Sequence, residues 1–588
     1  MISPNENNWM LNTGKQGLLL FAQSLEELMA SHSHDSYKVP ALNFHFICFE
    51  MENVINLIEF DVLDKGNLIP LFNEMTSLYE QDPIAQGIFG SNIQTVFYKK
   101  RNDFSFIKKP INLDSDKIND DILTQIKNGI HFMISEMNRN NQYYVKLIEL
   151  IKTRIEKCND TSDFETIYSL TRIVASELIN RGFNQAYIYD CIKLIFFNPQ
   201  CVINSIEIID DFFECFDTSK KKYCVFLPIN SFKQKNALEG YSTFSFAENI
   251  YEMFDSSIPY ILKYSCENID PYSAREEAID IANFCLSVNQ FIKHGKYSYD
   301  PKYAEVIEVE TKKSTFIKKT ERAIFRDYTN HVTINGPSEL LNSSFGLSGI
   351  LQVLQLHSAA LTSKNTSNQL INLWTATEVA IPVVRKGGLS RINQICNILS
   401  ATLCHDYFLI LIRQLLSDIR SCSEEALSTI QGLELNAQDD VKLLSIIIIP
   451  KYKTILDNII NTLENECPLL VCRLQHYNKC WTSTKAIYDT YKTHSKRLIQ
   501  QIMRIYRTRN MLVHDGSALP YEEYVLQNLH YYIDSYITCL NSYYKNGYRD
   551  MRSIVSAVQF KEHQYLEFLL NNQINEDNIL YCFGIDEI

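Results

Sequence analysis

The long helical period of the sequence is its most constraining feature. From Asp121 onward, apolar residues recur at three- and four-residue steps, as in DILTQIKNGIHFMISEMNRNNQYYVKLIELIKTRIEKC (121–158). Only 18 glycines and 15 prolines occur in 588 residues, so few positions interrupt a helix. The chain is therefore expected to be mainly α-helical.

The chain is too long for one hydrophobic core and predicts several domains. Residues 1–110 hold β-like runs such as ALNFHFICFEMENVINLIEFDVL, which predict a small α+β or β-rich domain. Residues 121–335 mix helical period with strand-like stretches such as KKKYCVFLPINSF and predict an α+β regulatory or sensor region. After the turn HVTINGPSEL, residues 336–548 predict a helical bundle, and residues 549–588 a helical tail packed on it. The expected fold is an α+β N-terminal region followed by a C-terminal bundle.

Charge and hydropathy exclude several classes of protein. A net charge of −13 argues against a protein that coats nucleic acid over its whole surface, although a local basic groove stays open. The N-terminus lacks the basic-then-apolar pattern of a signal peptide, and the longest apolar runs are too short to span a bilayer. The 16 cysteines show no regular spacing, which is typical of reduced thiols. We expect a soluble, cytoplasmic protein with no membrane partner.

The stretch RTRNMLVHDG (507–516) ends a long amphipathic helix and carries the clearest functional signal. Asn510 and His514 are four residues apart and share one face of the helix, and Arg509 lies about 100° around it. The same helix is rich in basic residues with few acids among them, and four of these are predicted to bind RNA: Lys496, Arg497, Arg504 and Arg507. A solvated basic helix face explains the pattern as well, and the Arg-x4-His spacing recurs from Arg326 to His331.

RNMLVH resembles the signature of the HEPN superfamily, an arginine followed by a polar residue and a histidine near a helix end. LINLWTATEVA, with Trp374 and Glu378, is similar to a helix of the ApeA-like branch found in bacterial anti-phage proteins. The resemblance covers roughly residues 340–548 and implies a HEPN-type bundle. The stretch between the two motifs holds more helices than a minimal bundle requires.

The resemblance implies a metal-independent endoribonuclease with no cofactor, acting by abortive infection. Arg509 would hold phosphate oxygens, His514 would transfer a proton, and Asn510 would orient His514 or the RNA. Cleavage by the RNA 2′-hydroxyl would leave 2′,3′-cyclic phosphate ends on tRNA or another host RNA. Family members commonly pair their HEPN domains, so a homodimer is implied, with a phage-derived trigger or a neutralising partner as further candidates.

Other interpretations stay open at this point. A non-catalytic HEPN-like scaffold that dimerises and binds RNA or a protein partner explains the same bundle. A nucleotide-transfer enzyme or its partner is disfavoured because no Gly-Ser motif with paired aspartates is present. Three possible metal ligands, Cys472, His476 and Cys480, recur at four-residue steps and could share one helix face. Ligands spread along one helix fit a tetrahedral zinc ion poorly.

Overall fold

A computed structural model describes most of the chain. The described residues are 8–11, 14–30, 42–90, 120–158, 160–229, 235–236, 238–239, 241–248, 254, 258–293, 299, 301–318, 347–363, 365–383, 390–514, 516, 521–548, 551–575 and 578–584. They form two compact units. One unit comprises Met1–Glu177, Val202–Ile206 and Ala323–Ile588, and the other comprises Leu178–Cys201 and Glu207–Arg322.

The expected fold class is confirmed, because the described residues are mainly helical and the strands lie in the N-terminal part of the chain. The domain boundaries differ from the four consecutive segments expected, since N-terminal and C-terminal residues belong to one compact unit. The boundary expected near residues 331–340 lies outside the described residues.

The first unit begins with helices where the sequence predicted β-like structure. The helices before residue 181 are α1 (Lys15–Met29), α2 (Phe44–Glu59), α3 (Leu68–Glu80), α4 (Pro83–Phe89), α5 (Asp120–Asn138), α6 (Gln142–Glu156) and α7 (Phe164–Asn180). The last three residues of α7 belong to the second unit.

The prediction of a β-rich segment is wrong for α2. The side chain of Asn43 caps this helix by accepting a hydrogen bond from the Phe46 N–H at 2.8 Å. Its buried residues include Met51, Val54, Ile55 and Ile58. Their spacing of three and four residues fits a helix, although the high density of apolar residues is also typical of a strand. Tertiary burial of this face favours the helix.

The second unit contains an antiparallel sheet with the strand order β2-β3-β1-β4-β5. Its elements are α8 (Gln185–Phe196), α9 (Ile208–Glu214), β1 (Lys221–Ile229), β2 (Phe244–Glu248), β3 (Tyr260–Asn268), α10 (Pro271–Lys293), β4 (Tyr303–Glu308) and β5 (Ser314–Lys318). Helix α10 packs against β1, β3 and β4. Their shared core includes Val225, Leu227, Leu262 and Ala282, all with no exposed surface.

The C-terminal part of the first unit is helical throughout its described residues. Its helices are α11 (Leu347–Thr362), α12 (Thr366–Ala380), α13 (Arg391–Cys404), α14 (Tyr407–Cys422), α15 (Glu424–Gln431), α16 (Asp439–Ile448), α17 (Lys453–Leu463), α18 (Pro468–Cys480), α19 (Thr484–His514), α20 (Glu522–Lys545), α21 (Met551–Asn571) and α22 (Ile579–Cys582).

Five of these helices build the bundle that carries the RNMLVH motif. Helix α12 packs against α11, α19 and α20, while α13 packs against α19 and α20. Helices α14 to α18 are inserted between α13 and α19, and α18 contacts α1 of the N-terminal region. Helix α21, in the C-terminal tail, lies against α13, α19 and α20.

No single described helix is both long and apolar enough to cross a membrane. The helices Arg391–Cys404 and Tyr407–Cys422, bent by 45°, satisfy that length and composition test only as a pair.

Candidate active site at the end of helix α19

Helix α19 runs for 31 residues and ends at His514, where the sequence predicts a helix end. Gly516 adopts the left-handed conformation with φ 67°, and its N–H donates to the Met511 carbonyl at 3.2 Å. This hydrogen bond satisfies a carbonyl of the last turn and stops the helix. His514 is exposed and is the last helical residue. An imidazole in this position is open to a ligand.

Arg509 and Asn510 lie one turn before the end of α19 and contact each other. The Arg509 Nη1 donates to Asn510 Oδ1 at 3.0 Å. Asn510 is buried, with 6% of its surface exposed, whereas Arg509 is half-buried. No hydrogen bond joins Asn510 to His514 among the described residues. Asn510 therefore fixes the arginine, and the expected contact between Asn510 and His514 is not formed.

Arg509 also lacks a counter-ion within the described part of the chain. No carboxylate there lies within salt-bridge distance of its guanidinium, and its buried Nε has no hydrogen-bond partner. A buried guanidinium N–H without an acceptor costs free energy, and an arginine fork is suited to bind two oxygens of a phosphate. The arrangement favours an anion at Arg509.

Arg504 and Arg507 do not lie on an exposed basic face, and the prediction that they bind RNA is wrong. They are 1% and 2% exposed. Glu50 of α2 accepts from Arg504 Nε at 2.8 Å and from Arg507 Nη2 at 2.6 Å. Glu74 of α3 accepts from Arg504 Nη2 at 2.8 Å. Because the two carboxylates neutralise the two guanidinium groups inside the protein, neither arginine can reach RNA.

Burial and the neighbouring charges shift the pKa values of Glu50 and Glu74 in opposite directions. Burial raises the pKa of Glu50, but Arg504 and Arg507 together outweigh it and lower that pKa below its ordinary value. Glu74 has a raised pKa because burial outweighs the attraction of Arg504 and the negative charge of Glu50 adds to it. The two shifts differ in sign because Glu50 contacts both arginines, whereas Glu74 contacts Arg504 alone.

Lys496 and Arg497 are exposed near the middle of α19. Arg497 precedes Arg509 by twelve residues, which corresponds to about 18 Å along a helix. A polyanion that reached from the helix end to this part of α19 would therefore have to span several nucleotides. Both residues remain candidates for RNA contact.

Trp374 and Glu378 support α19 from α12. Trp374 is fully buried, and its Nε1–H donates to Glu378 Oε1 at 3.0 Å. Its ring lies 5.8 Å from that of Tyr506, measured between centroids. The indole thus packs one turn before Arg509, and the two motifs noted in the sequence belong to one packed layer.

Several residues at this site carried no signal in the sequence. Glu50 and Glu74 lie more than 400 positions before the arginines they bind, so no local spacing predicts the pairs. Tyr521, at the start of α20, is buried with its ring 4.7 Å from that of Phe46, and its pKa is raised by burial and by Glu50.

Possible metal ligands do not converge within the described residues, where no group of three or more histidine, cysteine or acidic side chains could hold an ion. His476 Nε2 and Cys480 Sγ lie 3.6 Å apart, while Cys467 and Cys472 are buried. The second Arg-x4-His copy, Arg326 to His331, lies outside the described residues.

Comparison with known proteins gives no relative for this chain. No protein-family model, curated protein or solved structure matches it. Functional inference therefore depends on the site itself.

Proposed function

We propose that the chain is a metal-independent endoribonuclease of the HEPN type, with Arg509, Asn510 and His514 at its active site. The proposal rests on the different ion pairing of the arginines on α19. Arg504 and Arg507 are neutralised by buried glutamates, whereas Arg509 has no acidic partner among the described residues and lies one turn before the exposed His514. An arginine without an acidic partner and an exposed imidazole, both near the end of one helix, suit phosphodiester chemistry.

In the proposed reaction the 2′-hydroxyl oxygen of the RNA attacks the adjacent phosphorus. The O2′–P bond forms, the P–O5′ bond breaks, and the products are a 2′,3′-cyclic phosphate and a 5′-hydroxyl end. Arg509 stabilises the charge that builds on the non-bridging oxygens, and Asn510 holds the guanidinium in place. His514 moves a proton, because imidazole titrates near neutral pH.

The reaction needs one group to remove the 2′-hydroxyl proton and another to protonate the leaving 5′ oxygen. One imidazole does not perform both tasks at once. Arg509 and His514 of one chain also leave the helix about 140° apart, with about 7.5 Å of rise between them. Both points favour a composite cleft in a homodimer, where two copies each supply an arginine and a histidine.

The biological role that we propose is cleavage of tRNA or another host RNA during phage infection. The N-terminal region would respond to a phage-derived trigger or a neutralising partner. This role rests on the resemblance of RNMLVH and LINLWTATEVA to ApeA-like domains.

The test compares the wild type with His514→Ala and Arg509→Ala, using Lys485→Ala as an exposed basic control near the start of the same helix. Each protein is induced in bacteria with and without phage, and RNA ends are analysed for cyclic phosphate. We expect cleavage in the presence of EDTA, and a loss of at least roughly a hundredfold for His514→Ala. Lys485→Ala should keep most activity.

The ribonuclease proposal fails if His514→Ala protects cells against phage as well as the wild type does and no new RNA ends arise with either protein. That result, with RNA binding retained, would favour a scaffold.

A further inference from the structure

Helix α10 packs on one face of the antiparallel sheet of the second unit. Val225 of β1 and Leu262 of β3 belong to the core that this face shares with the helix. Because successive side chains of a strand alternate between the two faces of a sheet, Phe226 and Lys263 lie on the opposite face. We call this opposite face the outer face of the sheet.

One row of side chains on the outer face crosses all five strands. The register pairs Ser245 of β2 with Lys263 of β3, Lys263 with Phe226 of β1, Phe226 with Glu305 of β4, and Glu305 with Phe316 of β5. Neighbouring strands lie about 4.8 Å apart, so the backbones at Phe226 and Phe316 are about 10 Å apart. The row thus holds two aromatic rings with a carboxylate between them.

The aromatic rings of the outer face are accessible but held in place. Phe316 is 57% exposed, and the Tyr303 ring stacks on it with 5.8 Å between centroids and 29° between the planes. Phe226 and Tyr303 are partly exposed and pack against a buried cluster that includes Phe254 and Ile258. A lone exposed phenylalanine is ordinary on a protein surface, whereas this ring belongs to a fixed aromatic group.

Two lysines adjoin these rings. Lys263 and Lys318 are exposed, and neither makes an ion pair with an acidic residue in the described part of the chain. Lys263 Nζ lies 5.9 Å from the centroid of the Phe226 ring, and Lys318 is paired with Tyr303 in the register. Each cation therefore lies beside an aromatic ring and is available to an anionic ligand.

The other charges of the outer face leave these two lysines in excess. Lys222 lies opposite Glu267 in the register, so their charges offset each other. Glu305 is the acid between the two rings, and its Oε1 accepts a hydrogen bond from Ser314 Oγ at 2.6 Å. Its Oε2 accepts none within the described residues, so it can accept one from a ligand.

We propose that the outer face binds single-stranded nucleic acid, with bases stacked on Phe226 and Phe316 and phosphates beside Lys263 and Lys318. Nucleobases stack on aromatic side chains, and lysines neutralise the phosphates. Paired bases in a duplex hide their faces, so a duplex is a poor ligand. Glu305 accepts from an exocyclic amino group, which cytosine carries and uracil lacks. Oligocytidine therefore binds more tightly than oligouridine.

This inference goes beyond the proposed ribonuclease activity. The strands belong to the second compact unit, whereas α19 belongs to the first. The test measures binding rather than cleavage, so either proposal can fail while the other stands.

The test uses the full chain with His514→Ala, so that cleavage does not consume the RNA, and labelled oligonucleotides of about ten nucleotides. Fluorescence anisotropy compares oligocytidine RNA with oligouridine RNA, oligocytidine DNA and double-stranded RNA. We expect oligocytidine to bind roughly fivefold more tightly than oligouridine, and double-stranded RNA to bind most weakly. Weaker binding of oligocytidine DNA than of the RNA would identify RNA as the ligand, and equal binding would identify single strands of both kinds; both results fit the proposal.

Matched variants locate the binding surface. Phe316→Ala should weaken oligocytidine binding roughly fivefold or more, whereas Phe291→Ala, at a position 82% exposed on α10, should not. Lys263→Ala should reduce the slope of log K against log salt by about 0.7, whereas Lys193→Ala, an exposed position on α8, should leave it unchanged. Glu305→Gln should reduce the preference for cytosine, because an amide both donates and accepts hydrogen bonds.

The proposal is overturned if Phe316→Ala binds oligocytidine as tightly as Phe291→Ala does, or if double-stranded RNA binds as well as oligocytidine. It is also overturned if polyglutamate displaces the labelled RNA as effectively as unlabelled oligocytidine does, because charge alone would then explain the binding. Loss of all binding in Arg509→Ala, with no effect of Phe316→Ala, would assign the RNA to α19 instead. Circular dichroism of each variant checks folding, so that a lost affinity reports the missing side chain.

Discussion

Removing the Glu50 carboxylate should open the contact between the N-terminal helices and α19. Glu50 accepts hydrogen bonds from Arg504 Nε at 2.8 Å, from Arg507 Nη2 at 2.6 Å and from Arg507 Nε at 3.2 Å. In Glu50→Ala, Glu74 still reaches Arg504, but Arg507 keeps no carboxylate of this network. A buried charge that loses its partner costs about 3–5 kcal/mol. We expect the free energy of unfolding to fall by that amount.

The companion variant tests whether charge balance is the cause. Glu50→Leu combined with Arg507→Met removes one charge of each sign and leaves Arg504 paired with Glu74. Replacement of a buried ion pair by apolar side chains is often neutral, so the double variant should recover to within about 1–2 kcal/mol of the wild type. Arg507→Met alone should be destabilising, because Glu50 and Glu74 would then share one arginine.

Local hydrogen exchange is the assay of choice, since a chain with two compact units need not unfold in one transition. Amides of α2 and of the C-terminal half of α19 should exchange roughly 150-fold faster or more in Glu50→Ala. Glu59→Ala is the matched control on the same helix. Its partner Lys127 lies 2.6 Å away in a partly exposed pair, which predicts at most about 1 kcal/mol.

The reasoning is refuted if Glu50→Ala changes exchange no more than Glu59→Ala does. It is also refuted if the effects of Glu50→Leu and Arg507→Met simply add, because a shared ion pair requires strong coupling between them.

The remaining predictions concern the site and the pH dependence of stability. Asn510→Asp places a carboxylate where Arg509 Nη1 now donates at 3.0 Å, so it should neutralise the guanidinium and weaken RNA binding roughly tenfold or more in a filter-binding assay; unchanged affinity would exclude Arg509 from the RNA site. Asp82 is 2% exposed and its pKa is raised to about 6, mainly by burial. A raised folded-state pKa stabilises the fold at low pH, and this contribution, on the order of 3 kcal/mol, is lost as the pH rises from about 4 to about 6. Asp82→Asn should flatten that part of the stability curve in urea titrations, and an unaltered slope would show that Asp82 does not titrate there.

Local pattern predicted the helical framework because helix formation is governed by nearby residues. The period of three and four residues between 484 and 514 predicts one long helix, and the glycine at 516 predicts its end; both occur in α19. The antiparallel pair β4 and β5 likewise follows the strand-like alternation of KYAEVIEVETKKSTFIKK. In contrast, the apolar run at residues 42–63 fits both the helical and the strand period, and packing in the folded chain determined that it forms α2.

The sequence by itself determined that Arg509, Asn510 and His514 occupy the last turns of a helix, with Asn510 and His514 on one face. Only the tertiary structure decided which basic residues of that helix are available to a ligand. The sequence predicts Arg504 and Arg507 to be exposed cations, yet both are buried in ion pairs with Glu50 and Glu74. Arg509 instead bonds to Asn510 and has no carboxylate partner among the described residues. The reason is physical: helix periodicity depends on neighbours a few residues away, whereas the partner of a charge is set by a contact that spans more than 400 residues of chain.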